Sequence, residues 1–243
     1  MGRAETLAML AAGQVPERYL RNIGTIGAAG QARLLEAKVA VVGAGGLGGT
    51  IVELLARQGI GYLKVIDGDA FAAHNLNRQL LAAENNLGAN KAIAAAARVA
   101  AINSDVAVDA VPRMLDADNA AGLLAGIDIV VDALDNIATR LLLGQTARDL
   151  GIPLVHGAIA GFTGQIATIL PGDPGLDRIY KLCAGQAKGI ENALGNPAAT
   201  PALAASLQVQ EVVKLLTGVG RPLSRQLLYF DTELNLFEIF TLG

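Results

Sequence analysis

Cysteine is nearly missing: Cys183 is the only one in 243 residues. That excludes an intrachain disulfide and any zinc site built from several thiolates. Charge is scarce too, with 17% of residues ionisable and a formal net charge of −3. This balance supplies no basic face for DNA. Long hydrophobic runs are absent, since the stretch from Ile127 to Leu134 is broken by Asp128 and Asp132 and is too short to span a bilayer. No early segment joins a basic stretch to an uninterrupted apolar run, so no secretory leader is expected and the protein is expected to be cytoplasmic. Repeats and low-complexity linkers are lacking as well. What is plentiful is apolar surface, at 52% of residues, enough to fill a substantial core and to leave buried subunit contacts.

The apolar residues fall into the pattern of an α/β domain. Residues 1–37 read as helical. Val39-Ala40-Val41-Val42 is a short continuous run that suits a strand buried on both faces. It leads through a glycine loop into a helix over Thr50 to Gln58, which Gly59 closes, and then into a strand over Tyr62 to Ile66. Strand, helix and strand within about thirty residues make the βαβ unit of a parallel sheet. A helix over Ala92 to Ile102, strands near Val106–Val111, Ile127–Ala133 and Pro153–Ile159, and a helix over Ile137–Leu150 continue it. The second half changes. Thr163 to Leu170 alternates like an antiparallel strand, and Leu227–Phe230 with Leu234–Phe240 reads as a closing hairpin. The segment from Gly172 to Asn196 is too long for an ordinary connection and reads as either a functional loop or a mobile stretch. Thr200-Pro201 opens a helix running to Gly218, with Thr200 expected as its cap. The expected fold is a Rossmann-like, mostly parallel sheet flanked by helices, with antiparallel strands in the C-terminal part.

Three groups of residues could carry chemistry. Gly43, Gly45 and Gly48 fit G-x-G-x-x-G between a strand and a helix, where glycine lets phosphate approach free N–H groups at a helix N-terminus. Asp67, ending the next strand, is placed to accept hydrogen bonds from a ribose. By themselves these fit NAD, ATP or an unliganded tight turn. Arg78 and Lys91 are the second group. Lys91 sits in a first helical turn behind the cap Asn90, where a cation opposes the helix dipole by about 0.3–1 kcal/mol unless a polyphosphate reverses the sign. It is either solvated or a phosphate ligand. Asp132, Asp135 and Asn136 form the third group, at a strand end where open α/β sheets place ligands. Asp135 or Asn136 could cap the next helix, or a carboxylate at this edge could hold magnesium against phosphate oxygens.

The ordered series of these residues resembles the ThiF/MoeB/HesA family, the bacterial relatives of the ubiquitin-activating enzymes. The resemblance covers nearly the whole chain. It runs through Arg18-Tyr19-x-Arg21, Gly43-x-Gly45-Gly46-Leu47-Gly48, Asp67-x-Asp69, Asn75-Leu76-x-Arg78-Gln79 and Lys91. It continues through Asp135-Asn136 with Arg140, Gly157, Gly164-Gln165, and Ser206-Leu207-Gln208 with Glu211 and Lys214. It implies one adenylation domain over 1–243: a helical extension to about 37, a nucleotide-binding part over about 38–160 and a carrier-binding part over about 161–243. The implied activity is ATP-dependent adenylation of the C-terminal glycine carboxylate of a small ubiquitin-like sulfur carrier. Such carriers are MoaD- or ThiS-like and serve molybdenum- or tungsten-cofactor or thiamine biosynthesis. Gly46 would lie against the nucleotide with Gly43, Gly45, Gly48, Gln79 and Asn136 around it, and Asp67 and Asp69 near the ribose. Asn75, Arg78 and Lys91 would face the phosphates, and Asp135 would organise magnesium and the reacting α-phosphate. Members are typically homodimers in which an N-terminal arginine, here Arg21, reaches the partner's nucleotide.

The chain departs from the family pattern in two places. The paired C-x-x-C zinc ligands of many relatives are missing, so no zinc is expected. Where many relatives carry a cysteine that joins the activated carrier, this chain has Glu191, followed by the motif glycine Gly195. Glutamate forms neither thioester nor persulfide. Either the nearby Cys183 substitutes, or the enzyme stops at the acyl-adenylate and a separate sulfur donor takes over. His74 and His156 fit no triad or metal spacing and read as structural. Three other functions fit parts of the pattern: a carboxylate on modified tRNA as acceptor, a NAD-dependent oxidoreductase, and a non-catalytic scaffold.

Overall fold

A computed structural model describes residues 2–180 and 194–242. Cys183 and Glu191 lie outside the described residues. Eight strands form one sheet in the order β3-β2-β1-β4-β5-β6-β7-β8. The parallel part contains β1 (Lys38–Val42), β2 (Tyr62–Ile66), β3 (Ala107–Val111), β4 (Ile129–Asp132) and β5 (Leu154–Ala160). The antiparallel part adds β6 (Thr163–Ile169), β7 (Gln226–Asp231) and β8 (Leu236–Thr241). This is the mixed sheet expected.

Successive side chains of a strand leave opposite faces, which explains the unbroken apolar run of β1. Val39 and Val41 enter one core, and Ala40 and Val42 enter another. The first core is closed by α3 (Gly46–Gln58), α4 (Lys91–Ile102) and α8 (Ala199–Thr217), through Ile51, Leu55, Val99 and Val212. The second is closed by α5 (Ala120–Leu124), α6 (Ile137–Asp149) and α7 (Leu176–Tyr180), through Leu124, Leu143 and Leu176. Among the described residues no helix is long and apolar enough to cross a membrane.

The N-terminal stretch is not one helix. It divides into α1 (Arg3–Ala11), a 3₁₀ turn at Glu17–Tyr19 and α2 (Leu20–Glu36), which is broken at Gly27 (φ 68°, ψ 169°). Thr6 Oγ1 and Tyr19 Oη donate to Asp105 Oδ2 at 3.0 and 3.2 Å, and Arg3 donates to the Gly61 carbonyl at 2.7 Å. Arg18 bonds the Asn103 side chain. Burial pushes the Tyr19 hydroxyl up to about 12, so it remains a donor. The Arg18-Tyr19 pair thus anchors the extension rather than reaching a ligand.

Three boundaries differ from expectation. The glycine-loop helix starts at Gly46, four residues before Thr50, because its first turn is the loop itself. Part of the stretch after Gly172 is helical, as α7. Thr200 does not cap α8: the N-cap position is Ala198, with no side-chain cap. Thr200 lies buried inside the first turn, where packing overrides its capping preference, and Pro201 occupies a place whose N–H has no helical partner in any case.

Candidate functional site

The glycine loop leaves β1 and crosses the end of β4. Gly43 has φ 95°, and a Cβ there would stand 2.5 Å from the Ala133 carbonyl oxygen. A Cβ on Gly48 would collide with the Gly43 carbonyl. These two glycines let loop, strand and helix close on one another. Gly48→Ala is expected to cost about 1–3 kcal/mol or more, read as a lower urea midpoint, because backbone must move to admit the methyl. Asp67 holds the loop from beside it: Oδ2 accepts the Ala44 N–H at 2.6 Å and Oδ1 the Asp69 N–H at 2.8 Å. Burial pushes its carboxyl up, opposed by those two hydrogen bonds.

A cavity of about 450 Å³ opens beside this loop, within the roughly 300–1,000 Å³ usual for small-molecule sites. It lies at the C-terminal ends of β1, β2 and β4, where the strand order switches direction. Among the described residues four cations border it: Arg78, Lys91, Arg113 and Arg140. Lys91 is only 7% exposed and places Nζ 3.0 Å from Asp69 Oδ2. Its helix is capped by Asn90, whose side chain accepts from the N–H groups of Ala92 and Ile93. Arg78 donates to the His74 carbonyl at 3.0 Å and to Asn77 Oδ1 at 2.8 Å, both neutral acceptors. Arg140, on α6, donates to the carbonyls of Gly157 and Leu134 and to Tyr180 Oη.

Behind Arg140 lies a buried polar cluster. Asp132 and His156 stand opposite each other in the β4–β5 register, with Oδ2 and Nδ1 2.7 Å apart and both side chains fully buried. Burial pushes the Asp132 carboxyl up, yet the neighbouring Arg140 and His156 outweigh it, so its pKa lies below the ordinary value. Burial holds His156 below its ordinary value despite the adjacent carboxylate.

Of the residues singled out in the sequence, Gly43, Gly45, Gly46, Asp67, Asp69, Arg78, Gln79, Lys91, Asp135 and Asn136 all border the cavity. Asn136 serves both readings, since it also caps α6 by accepting the Thr139 N–H at 2.8 Å. Gly48, Asn75 and Arg21 do not line it. Asn75 is buried and accepts the Ala72 N–H at 2.9 Å, shaping the turn that carries Arg78. Arg21 is exposed on α2. Arg113, Thr139, Asn196 and Pro201 also line the cavity and were not foreseen. For Arg113 a signal existed, because it follows the C-terminal end of β3 at the ligand-binding edge of the sheet. The Asp132–His156 pair had none, since only the β4–β5 register brings the two side chains together.

The wall fits a nucleotide. Gln79 Oε1 and Asn196 Oδ1 are buried and have no hydrogen-bond partner among the described residues. An unmet buried acceptor costs about 1–3 kcal/mol, so these oxygens suit ligand donors such as ribose hydroxyls or an exocyclic amine. The cations and the α3 N-terminus suit phosphates. Among the described residues no group of three or more His, Cys, Asp or Glu could hold a metal ion.

Residues 19–243 match the sequence profile of the ThiF family. The SAMP-activating enzyme E1 of Haloferax volcanii is 40% identical over 225 residues, spanning 91% of this chain and 83% of that protein. The sulfur carrier protein adenylyltransferase of Thermus thermophilus is 38% identical over 227 residues, spanning 88% of this chain and 83% of that one. Among solved structures, E. coli MccB with ATP superposes with a TM-score of 0.81 at 22% identity, over 93% of this chain and 72% of that one, which is a likeness of fold. An ordered set of cavity residues, a profile match across nearly the whole chain and two long alignments above 30% identity agree: the chain belongs to the ThiF family.

Proposed function

We propose that the chain uses ATP to adenylate the C-terminal carboxylate of a small ubiquitin-like sulfur-carrier protein, MoaD- or ThiS-like. The observation that carries this reading is the convergence of Arg78, Lys91 and Arg140 with the glycine loop and Asp135 on one cavity. A dinucleotide-binding dehydrogenase has no comparable need for three cations, since a helix terminus suffices for its pyrophosphate. The names of the two relatives support the same chemistry and the same kind of partner.

In this reaction a carboxylate oxygen attacks the α-phosphorus of ATP and pyrophosphate leaves, so the protein supplies alignment and positive charge rather than a covalent nucleophile. The α3 N-terminus and Gly46 receive phosphate, Arg78 and Lys91 neutralise the leaving pyrophosphate, and Gln79 accepts from the nucleoside. Asp67 and Asp69 lie on the ribose side. Asp135 would hold magnesium at the phosphates, where the ion would supply charge neutralisation. Residues 38–160 carry the nucleotide, residues 161–243 the carrier, and a separate sulfur donor takes the adenylate onward. The working unit is a cytoplasmic homodimer to which Arg21, exposed and away from its own cavity, contributes across the interface.

Carrier-dependent ATP–pyrophosphate exchange tests the reading. With magnesium and one Gly-Gly-ending carrier at a time, exchange is expected with a single carrier. It should fall about a hundredfold in Arg78→Ala and in Asp135→Ala. An absence of exchange with every carrier, while ATP still binds, would overturn the proposal.

A further inference from the structure

The cluster behind Arg140 has one internally consistent direction of hydrogen bonding. A guanidinium only donates. Tyr180 Oη therefore accepts from Arg140 Nη1, at 2.7 Å, and has a single proton left to give. Among the described residues the nitrogen able to accept it is His156 Nε2, at 3.3 Å, with the two rings edge-on at 84° and 5.6 Å between centroids. To accept, Nε2 must carry a lone pair, which puts the ring proton on Nδ1. That is where the Asp132 carboxylate demands it, 2.7 Å away. Burial favours this neutral ring, and burial also raises the Tyr180 hydroxyl, keeping it a donor. Gln165 Nε2 flanks the junction, 3.4 Å from His156 Nε2 and 3.5 Å from Tyr180 Oη.

The placement of Asp132 matters as much as its bond to the ring. Its Oδ2 stays 3.8 Å from Arg140 while it engages His156 closely, and the guanidinium is fixed by the oxygens of Tyr180, Gly157 and Leu134. These contacts with described residues hold the guanidinium on a residue that borders the cavity, with the Asp132 carboxylate close behind it.

We infer that His156 and Tyr180 are positioning residues for adenylation: the Asp132–His156–Tyr180 relay sets the Arg140 guanidinium against an anionic group of the bound reactants. This rests on the adenylation reading above. Neither His156 nor Tyr180 is among the residues that line the cavity, so their influence passes through Arg140.

Tyr180→Phe deletes one hydroxyl and keeps the ring. His156→Asn keeps an N–H that can reach Asp132 while removing the Nε2 acceptor, and serves as a second variant. Both are compared with the wild type in carrier-dependent exchange, with thermal unfolding followed alongside. Misplacing one charged donor is expected to lower kcat by on the order of tenfold or more with little change in KM for ATP. The double variant Tyr180→Phe/Arg140→Lys should lose no more than Arg140→Lys alone, because the two act as one unit. Wild-type exchange with an unchanged kcat in both single variants, or losses that multiply in the double variant, would overturn the relay and leave adenylation standing. Absence of exchange in the wild type would overturn the adenylation reading itself, and the relay with it.

Discussion

Replacing Lys91 by alanine is expected to cut carrier-dependent ATP–pyrophosphate exchange by about a hundredfold to a thousandfold, with the fold intact. Lys91 stands at the N-terminus of α4, almost out of water, where its charge opposes the helix dipole. Asp69 relieves part of that cost at 3.0 Å, but the Asp69 side chain is itself about half exposed, so the pair adds little stability. The Asn90 cap does not depend on the lysine. An ammonium held at a disadvantage to the folded chain, on a cavity wall already carrying Arg78, makes sense as a phosphate ligand. The thermal midpoint of Lys91→Ala should therefore stay within a few degrees of the wild type. Exchange within a few-fold of wild type would rule out a phosphate-binding role for Lys91.

Asp132→Ala is expected to be the most damaging change to stability, at about 3–5 kcal/mol by urea unfolding. The alanine would leave the His156 Nδ1–H and the Leu134 N–H without their acceptor, and Arg140 without the nearby carboxylate. Acidification should act in the same direction. The native carboxyl of Asp132 titrates below its ordinary value, so its contribution is present above that ordinary value and is lost as pH falls through the lower native one. His156 is also lowered, so the unfolded chain takes up the proton first once pH drops below about 6.5. Stability should therefore decline from pH 7 downward, first through His156 and then through Asp132. Urea midpoints at pH 7.5, 6 and 5 would measure this, and His156→Asn should flatten the upper part of the decline. A wild-type midpoint independent of pH over that range would contradict the assignment of a neutral buried imidazole.

Short-range chemistry alone set the βαβ start of this domain. The apolar run of β1 needs two cores and finds them on opposite faces. Gly59 ends α3 in a left-handed cap, and Asn90 opens α4 with its side chain on the expected N–H groups. Such features depend on neighbours within four residues, so sequence spacing carries them completely. The glycines follow β1 directly, whereas Arg78, in the connection between β2 and α4, and Lys91, at the start of α4, come to the same cavity through the folding of that connection.

Only the tertiary structure decided what crosses between elements. Asp67 lines the cavity, and only the packed chain brings its two oxygens onto backbone N–H groups of the loop and of Asp69 and sets Asn75 against the Ala72 N–H. Thr200 had a capping residue's chemistry and was pulled into the first turn by packing. His156 had no partner at any recognisable spacing. Asp132 reaches it because β4 and β5 lie side by side in parallel with those two residues in register, joined by a crossover helix. The length of a crossover does not encode register. The burial of alternate faces sets it, and that is settled only when the whole sheet is packed.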